Sequence, residues 1–339
     1  MNTNIAYLRA DVSKSLGLGH ISRAVAMAEA LERSGMRAVI FSRRLDGDQG
    51  RAVAKLNKHE NLIQKIETEE EFISVLERKE GKYLFIDLLE SCAYAALVPR
   101  LQPLFPAYRT ICFDSFFDDD LKFDLQIGPS FDGTTTHKKG LSDLKYFVFP
   151  EELRCLAPTK DATTEVRSVL ITLGGSDPFR ATPSIARALC GAFPKLHFTV
   201  VIGPGFMPAE RQELKELAGQ YGNVECAVEP EHLGHLYMVS DFAITSGGQT
   251  KFETALFGIP SFILANNLQE EELSKEFAAL AGCVFLGRAD QVDRIHLREE
   301  LARLISESVR LNEMSRKSRQ LLDIYGGERV VDYIKQNLP

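Results

Sequence analysis

The chain has 339 residues, 45% hydrophobic and 26% charged, with 40 Lys and Arg against 47 Asp and Glu for a formal net charge of −7. That length is too great for one ordinary core and predicts two domains of about 150 residues each. The acidic balance without a basic stripe argues against nucleic acid as the main partner, and no apolar run is long enough to span a bilayer.

The opening MNTNIAYLRADVS has no basic region leading into an apolar run, so no signal peptide is expected. Ile5 to Ala10 then reads as a first strand. Ile21, Ala24, Val25, Ala28 and Leu31 recur at helical spacing from Ile21 to Arg33, with Gly35 as the stop. Arg37 to Ser42 is a second strand. Tyr83 to Leu89 and Arg109 to Ser115 are short apolar runs suited to strands buried on both faces. This alternation predicts a parallel sheet with helices on both sides. Leu153 to Arg167 is polar, carries Pro158, and is taken as the inter-domain linker, giving domains 1–155 and 156–339.

The alternation restarts with a strand from Ser168 to Gly175, a helix from Thr182 to Phe193 and a strand from Leu196 to Gly203. A short helix follows from His232 to Ser240, then a strand from Phe242 to Gly248, a helix from Lys251 to Gly258 and a strand from Pro260 to Ala265. One long helix is expected from Arg294 to Leu322, and the last helix is a candidate to pack back on the first domain. The expected fold is therefore α/β, two Rossmann-like domains facing across a cleft. Ligands of such sheets bind beyond the carboxyl ends of the strands. Six cysteines (Cys92, Cys112, Cys155, Cys190, Cys226, Cys283) lie far apart with no C-x-x-C pair. Buried reduced thiols in a cytoplasmic protein are expected, not a zinc site or a disulfide framework.

Three strand-to-helix turns are rich in glycine: Gly17 to His20, Leu173 to Pro178 and Thr245 to Thr250. Glycine lets backbone approach a ligand closely, and amides at a helix start attract phosphate. The first turn has Ser22 where a dinucleotide fingerprint needs its third glycine, and no P-loop motif occurs. His20 falls near the first helix's N-terminus, where the helix dipole disfavours imidazolium and favours a neutral ring able to accept a proton. The alternative is a histidine that caps its own backbone.

RADVSKSLGLGHISR resembles the R-x-D-x(5)-G-x-G-H-x-x-R signature of the PseG/SpsG family, with Arg9, Asp11, Gly17, Gly19, His20 and Arg23 in register. LITLGGSDP, ITSGGQTKFETALFGIP and YGGERVVDYI resemble further elements of that family, so the likeness spans most of the chain. The resemblance implies the GT-B fold of MurG-type glycosyltransferases and a UDP-sugar hydrolase of pseudaminic acid biosynthesis. It implies His20 as the base that activates water, with Arg9 and Asp11 beside it as candidate catalytic residues. Gly17, Gly19 and Arg23 are implied as substrate contacts. Gly174, Gly175 and Ser176, together with Ser246, Gly247, Gly248, Gln249 and Thr250, are implied to hold the diphosphate and uridine. Glu253 would accept hydrogen bonds from the ribose, and Gln269 completes the candidate set. No cofactor and no metal are implied.

The chain departs from that family in two places. Leu88 and Leu89 follow Asp87 where the family has His-Tyr, and Leu268 precedes Gln269 where the family has an Asn-Gln pair. These departures favour a glycosyltransferase on the same scaffold, in which His20 deprotonates an acceptor hydroxyl. A non-catalytic nucleotide-sugar-binding protein is the third reading. Phe116 to Asp124 is expected to be an acidic surface loop, His232 and His235 a solvated helix face, and Glu270 to Glu272 a helix N-terminal charge cluster. Asp114, ending a buried strand, is a further candidate for a cleft residue.

Overall fold

A computed structural model describes residues 4–12, 18–43, 62–78, 80–88, 91–113, 123–128, 140–157 and 165–338, apart from the side chains of 91–95 and 269. The chain divides into two compact units, Met1–Glu151 with Ile324–Pro339, and Glu152–Asp323. The first unit contains β1 (Ile5–Ala10), α1 (Gly19–Arg33), β2 (Arg37–Ser42), β3 (Ile63–Lys65), α2 (Glu69–Glu77), β4 (Tyr83–Asp87), α3 (Ser91–Leu101), β5 (Arg109–Phe113), β6 (Leu125–Ile127) and β7 (Gly140–Leu141). A short helix, α4 (Glu151–Leu156), crosses the boundary.

The second unit contains β8 (Ser168–Thr172), α5 (Ala181–Cys190), β9 (His197–Ile202), α6 (Pro208–Gln220), β10 (Val224–Val228), α7 (Gly234–Val239), β11 (Phe242–Ser246), α8 (Gln249–Leu256), β12 (Ser261–Ala265), α9 (Leu268–Ala281), β13 (Val284–Arg288), α10 (Arg294–Ile305) and α11 (Ser308–Leu321). A last helix, α12 (Gly326–Asn337), belongs to the first unit.

Among the described residues the strands are all parallel, and the two sheets share one order. The first runs β3-β2-β1-β4-β5-β6-β7 and the second β10-β9-β8-β11-β12-β13. This is the doubly wound order, in which the connections reverse direction at the centre: between β1 and β4 in one sheet, between β8 and β11 in the other. That reversal opens a crevice at the carboxyl ends of the central strands. The strand sequences fit burial on both faces: every residue of YLFID in β4 and of FAITS in β11 is buried.

The apolar stripe of α1 packs as its spacing predicts, with Ile21, Ala24, Val25, Ala28 and Leu31 all in the core. The helix begins at Gly19, earlier than the spacing suggests, so His20 lies inside its first turn. Val330, Val331 and Ile334 of α12 join the same core, which ties the returning segment to the first unit. Each such side chain contributes about 1.5–3 kcal/mol on burial.

Several expectations are corrected. The single helix expected from Arg294 to Leu322 is two helices, separated by Ser306, which caps the end of α10, and Glu307, which caps the start of α11. The segment expected as a polar linker starts as helix α4, and its Leu153, Ala157 and Val166 are buried; residues 158–164 lie outside the described residues. Cys112 and Cys190 are buried and Cys226 and Cys283 partly so, but Cys155 is exposed on α4, a helix too short to cover it. No described helix is long and apolar enough to cross a membrane.

Candidate functional site

In the first unit the chemistry gathers at the sheet's reversal point. Asp87 is the last residue of β4, and His20 follows β1 in the first turn of α1. His20 Nδ1 lies 2.7 Å from Asp87 Oδ1. Arg23, three residues further along the same helix face, donates Nε–H to Asp87 Oδ2 at 2.8 Å and an NH2 proton to Oδ1 at 2.7 Å. Its guanidinium rests over the Phe113 ring, 4.9 Å from the centroid. All three polar side chains are buried. Burial alone would raise the Asp87 carboxyl, but the charges of Arg23 and His20 and their hydrogen bonds outweigh it and hold the group well below the usual carboxylate range. An ionised carboxylate only accepts, so in neutral imidazole Nδ1 carries the proton and the lone pair sits on Nε2.

His20 does not cap its helix. The cap residue of α1 is Leu18, and no side chain bonds to the first-turn amides. The self-capping alternative is thereby overturned, because the ring is already committed to Asp87.

Arg9 and Asp11 form a different cluster. Arg9 is 0% exposed, and every donor of its guanidinium is engaged, by Asp11, by Glu69 on α2 and by the Phe41 carbonyl. Asp11 also accepts the Arg43 backbone N–H at 2.7 Å, and Arg43 reaches Glu69 at 3.3 Å. Two cations and two carboxylates thus tie β1, β2 and α2 together. Among the described residues, neither Arg9 nor Asp11 bonds to His20. Gly19 opens α1; Gly17, Leu89, Asp114 and residues 116–122 lie outside the described residues. The end of the expected acidic surface loop is not surface: Phe123 is buried, and Asp124 accepts the Thr110 amide at 2.8 Å and its hydroxyl at 3.0 Å, tying it to β5.

In the second unit both glycine turns stand at the carboxyl ends of β8 and β11, on either side of the reversal point. After β8, Gly174 has φ +90°, a conformation that favours glycine. Gly175 accepts Gly205 N–H at 2.8 Å, and a side chain at Gly203 would collide with the Gly175 carbonyl. Ser176 continues that turn. Asp177 then accepts the amides of Ala181 at 3.0 Å and Thr182 at 2.8 Å, so the start of α5 is already filled by a carboxylate.

The start of α8 differs. Its cap is Gly248, with no side-chain hydrogen bond and no acidic residue in the first turn. The amides that follow, from Gln249 on, are those a helix leaves without intrahelical partners. Below them Thr250 Oγ1 accepts from Thr245 Oγ1 at 2.5 Å and lies 3.0 Å from Ser246 Oγ. Lys251, 2% exposed, donates to the Gly247 carbonyl and lies over the Phe252 ring. Glu270 of α9 sits nearby and accepts the Asn266 amide at 2.8 Å; burial raises its carboxyl, against that amide and the Lys251 charge.

Glu253 lies one turn further along α8. Its Oε2 accepts the Tyr237 hydroxyl at 2.6 Å. Burial raises the Glu253 carboxyl above its ordinary value, opposed by the Tyr237 bond and reinforced by Glu152. Glu152 pairs in turn with His232 Nδ1. His232 therefore precedes α7 as a half-buried ion-pair partner, not as part of a solvated helix face. Glu270 likewise does more than favour a helix dipole, since it folds back against the glycine turn. Leu268 is exposed, and Asn267 caps α9 by accepting the Glu270 amide at 2.8 Å. The Gln269 side chain lies outside the described residues.

Sequence reading missed Asp87, Lys251 and Tyr237. An acid ending a fully buried strand is a legible signal for the first. Lys251 and Tyr237 sit within helical stretches and carry no mark of their own. Among the described residues, no group of three or more His, Cys, Asp or Glu side chains is arranged to hold a metal ion.

Two parallel sheets of one doubly wound order make this a GT-B-type fold of two Rossmann-like domains. Solved structures of that kind are similar to it over nearly their full length. MurG of Acinetobacter baumannii is 14% identical, with TM-score 0.65 over 98% of this chain and 99% of that one. The spinosyn rhamnosyltransferase SpnG complexed with thymidine diphosphate is 14% identical, with TM-score 0.66 over 96% and 100%. A putative UDP-N-acetylglucosamine 2-epimerase of Listeria monocytogenes is 11% identical, with TM-score 0.68 over 100% and 97%. In sequence, the chain is 24% identical over 280 residues to the uncharacterized protein MJ1062 of Methanocaldococcus jannaschii, covering 77% of this chain and 56% of that protein. The chain thus matches little more than half the length of that relative. No protein-family model matches the chain.

Proposed function

We propose that the chain is a nucleotide-sugar-processing enzyme of the PseG type, a UDP-sugar hydrolase of nonulosonic acid biosynthesis with His20 as general base. The observation that carries this reading is the 2.7 Å contact of His20 Nδ1 with Asp87, which leaves Nε2 as the basic atom. Nε2 takes a proton from water as the water oxygen bonds to the anomeric carbon. The bond from that carbon to the diphosphate oxygen breaks, and UDP leaves with the electron pair. The first unit supplies the base, and the second unit seats the nucleotide through the Ser246 to Thr250 turn, the Gly174 to Ser176 turn and Glu253.

A second reading, transfer to an acceptor hydroxyl, is favoured by Leu88, which is buried where the resemblance calls for a polar residue. The test is UDP release from a panel of UDP-sugars without any acceptor, alongside thermal shifts with UDP, CDP, GDP and CMP. Acceptor-free UDP release supports hydrolysis. Release only on addition of an acceptor supports transfer. At a hundredfold excess over its dissociation constant UDP adds about 2.7 kcal/mol of stability; no shift with any nucleoside diphosphate overturns the nucleotide reading.

A further inference from the structure

We infer that Tyr237 is a positioning residue: it fixes the Glu253 carboxylate to accept a ribose hydroxyl, and so gives this chain a preference for ribonucleoside over deoxyribonucleoside diphosphates. The inference rests on the nucleotide reading of the second unit.

Tyr237 is 0% exposed and has little freedom to move. Its ring packs against Phe257, 5.3 Å between centroids, and its amide bonds to the Leu233 carbonyl at 2.9 Å. Its hydroxyl therefore meets Glu253 Oε2 from a fixed direction, at 2.6 Å. A carboxyl group is planar, so holding Oε2 sets the direction of Oε1 as well. Among the described residues, Tyr237 alone donates to this carboxylate. Glu253 is half buried, its side-chain hydrogen bond to Tyr237 uses Oε2 alone, and Oε1 is not among the buried polar atoms of the described residues that lack a partner, so we take Oε1 as the atom that meets a donor from outside the chain. An ionised carboxylate offers only acceptors, and a sugar hydroxyl is the neutral donor that a nucleotide brings.

The surroundings make the arrangement specific. A second carboxylate, Glu152, stands near enough to oppose ionisation of Glu253, and His232 is paired with it. Burying one acid beside another is unfavourable unless its acceptors are used. As a mere packing element the position would be better filled by an apolar side chain. One fixed oxygen bonded inside and one facing outward is instead the pattern of a ligand contact held ready by its neighbour, which reduces the ordering needed on binding.

The test measures binding of UDP, 2′-deoxy-UDP and 3′-deoxy-UDP by calorimetry. A hydrogen bond to a charged group makes wild-type protein bind UDP about tenfold or more tightly than at least one deoxy analogue. Tyr237→Phe, which removes only the hydroxyl, brings that ratio to within about twofold while binding of the weaker analogue changes little. Equal weakening of all three ligands shows a structural role and overturns the inference, as does an unchanged ratio or a wild type that does not discriminate. If wild-type protein binds no UDP at all, the nucleotide reading itself fails. Should Tyr237→Phe not fold, Phe257→Leu is measured instead, because it loosens the ring that packs on Tyr237 and leaves both the hydroxyl and Glu253 in place. A lowered ratio with binding of the weaker analogue little changed supports the positioning role; an unchanged ratio, or equal weakening of all three ligands, overturns the inference.

Discussion

The carboxyl ends of β1 and β4 and those of β8 and β11 hold the same place in two sheets of one strand order, yet their chemistry differs. The first reversal point is dense with charge: His20, Arg23 and Asp87 are joined by bonds of 2.7 to 2.8 Å and sealed by Phe113. The second faces the crevice with glycine backbone and the hydroxyls of Ser246, Thr245 and Thr250, its charges confined to one cation, Lys251, and one carboxylate, Glu270, and among the described residues no side chain caps the start of α8. If the proposed function holds, the first is where a proton is taken up. On the same reading, the second is where amides and hydroxyls would meet the diphosphate. A common backbone topology supplies the crevice, and the residues ending the central strands decide what it does.

The sharpest way to break this comparison is to remove the imidazole. His20→Ala lowers kcat on a UDP-sugar on the order of a hundredfold to ten-thousandfold. Its UDP affinity stays at the wild-type value, because the turns assigned to the nucleotide belong to the other unit. His20→Asn is nearly as inactive, since an amide keeps a hydrogen bond but takes no proton at neutral pH. Wild-type turnover in His20→Ala would return the histidine to a packing role. A matching loss of UDP affinity would dissolve the division of labour between the units.

A smaller effect is expected on stability. Asp87→Asn leaves the Arg23 cation buried without its counter-charge, which costs on the order of 3–5 kcal/mol in urea denaturation. The acid limb of wild-type stability carries the same information. The Asp87 carboxyl is depressed in the folded state, so its stabilisation is complete above the unfolded carboxylate value of about 3.9 and is lost as pH falls below that toward its depressed folded value. Asp87→Asn therefore shows a shallower loss of stability below about pH 4 than wild type. Parallel acid limbs would show that the ion pair is not coupled to folding.

The contrast between the two reversal points also marks what the sequence made legible. Alternating buried strands and amphipathic helices, as in RAVIFS and the stripe from Ile21 to Leu31, carry their periods openly, so the two α/β halves could be read, whereas the strand order within each sheet, and short or edge strands such as β3, β6, β7, β10 and β13, could not. The glycine turns were legible because glycine has few other reasons to recur at strand ends. Side-chain pairing was not. Arg9 on β1 and Arg23 on α1 are both arginines of one motif, and nothing in it says that the first is saturated by Asp11 and Glu69 while the second braces Asp87 beside His20; that depends on which elements the fold brings against each. Tyr237 reads as a core aromatic, which it is, and its bond to Glu253 depends on how α7 meets α8. The break at Ser306–Glu307 was hidden because the polar face of α10 runs into that of α11 without a proline or glycine between them.

The smallest expected effect concerns metal ions. The negative charge that develops on a leaving diphosphate must be met by something. Here, among the described residues, no side chain caps the first-turn amides of α8, and the positive end of that helix dipole favours an anion. Lys251 adds a cation close by, buried and held on the Gly247 carbonyl. The start of α5, filled by Asp177, is the contrasting case: the same backbone feature with its amides already engaged. If the α8 turn carries the diphosphate, these groups suffice, and incubation with EDTA changes kcat/KM by no more than about twofold. Replacing Lys251 by Met should then weaken UDP binding in the presence or absence of magnesium alike, because the residue and not an ion supplies the charge. Loss of turnover on chelation, with recovery on adding magnesium or manganese, would contradict this and make the Asp118 to Asp120 segment the place to seek a metal.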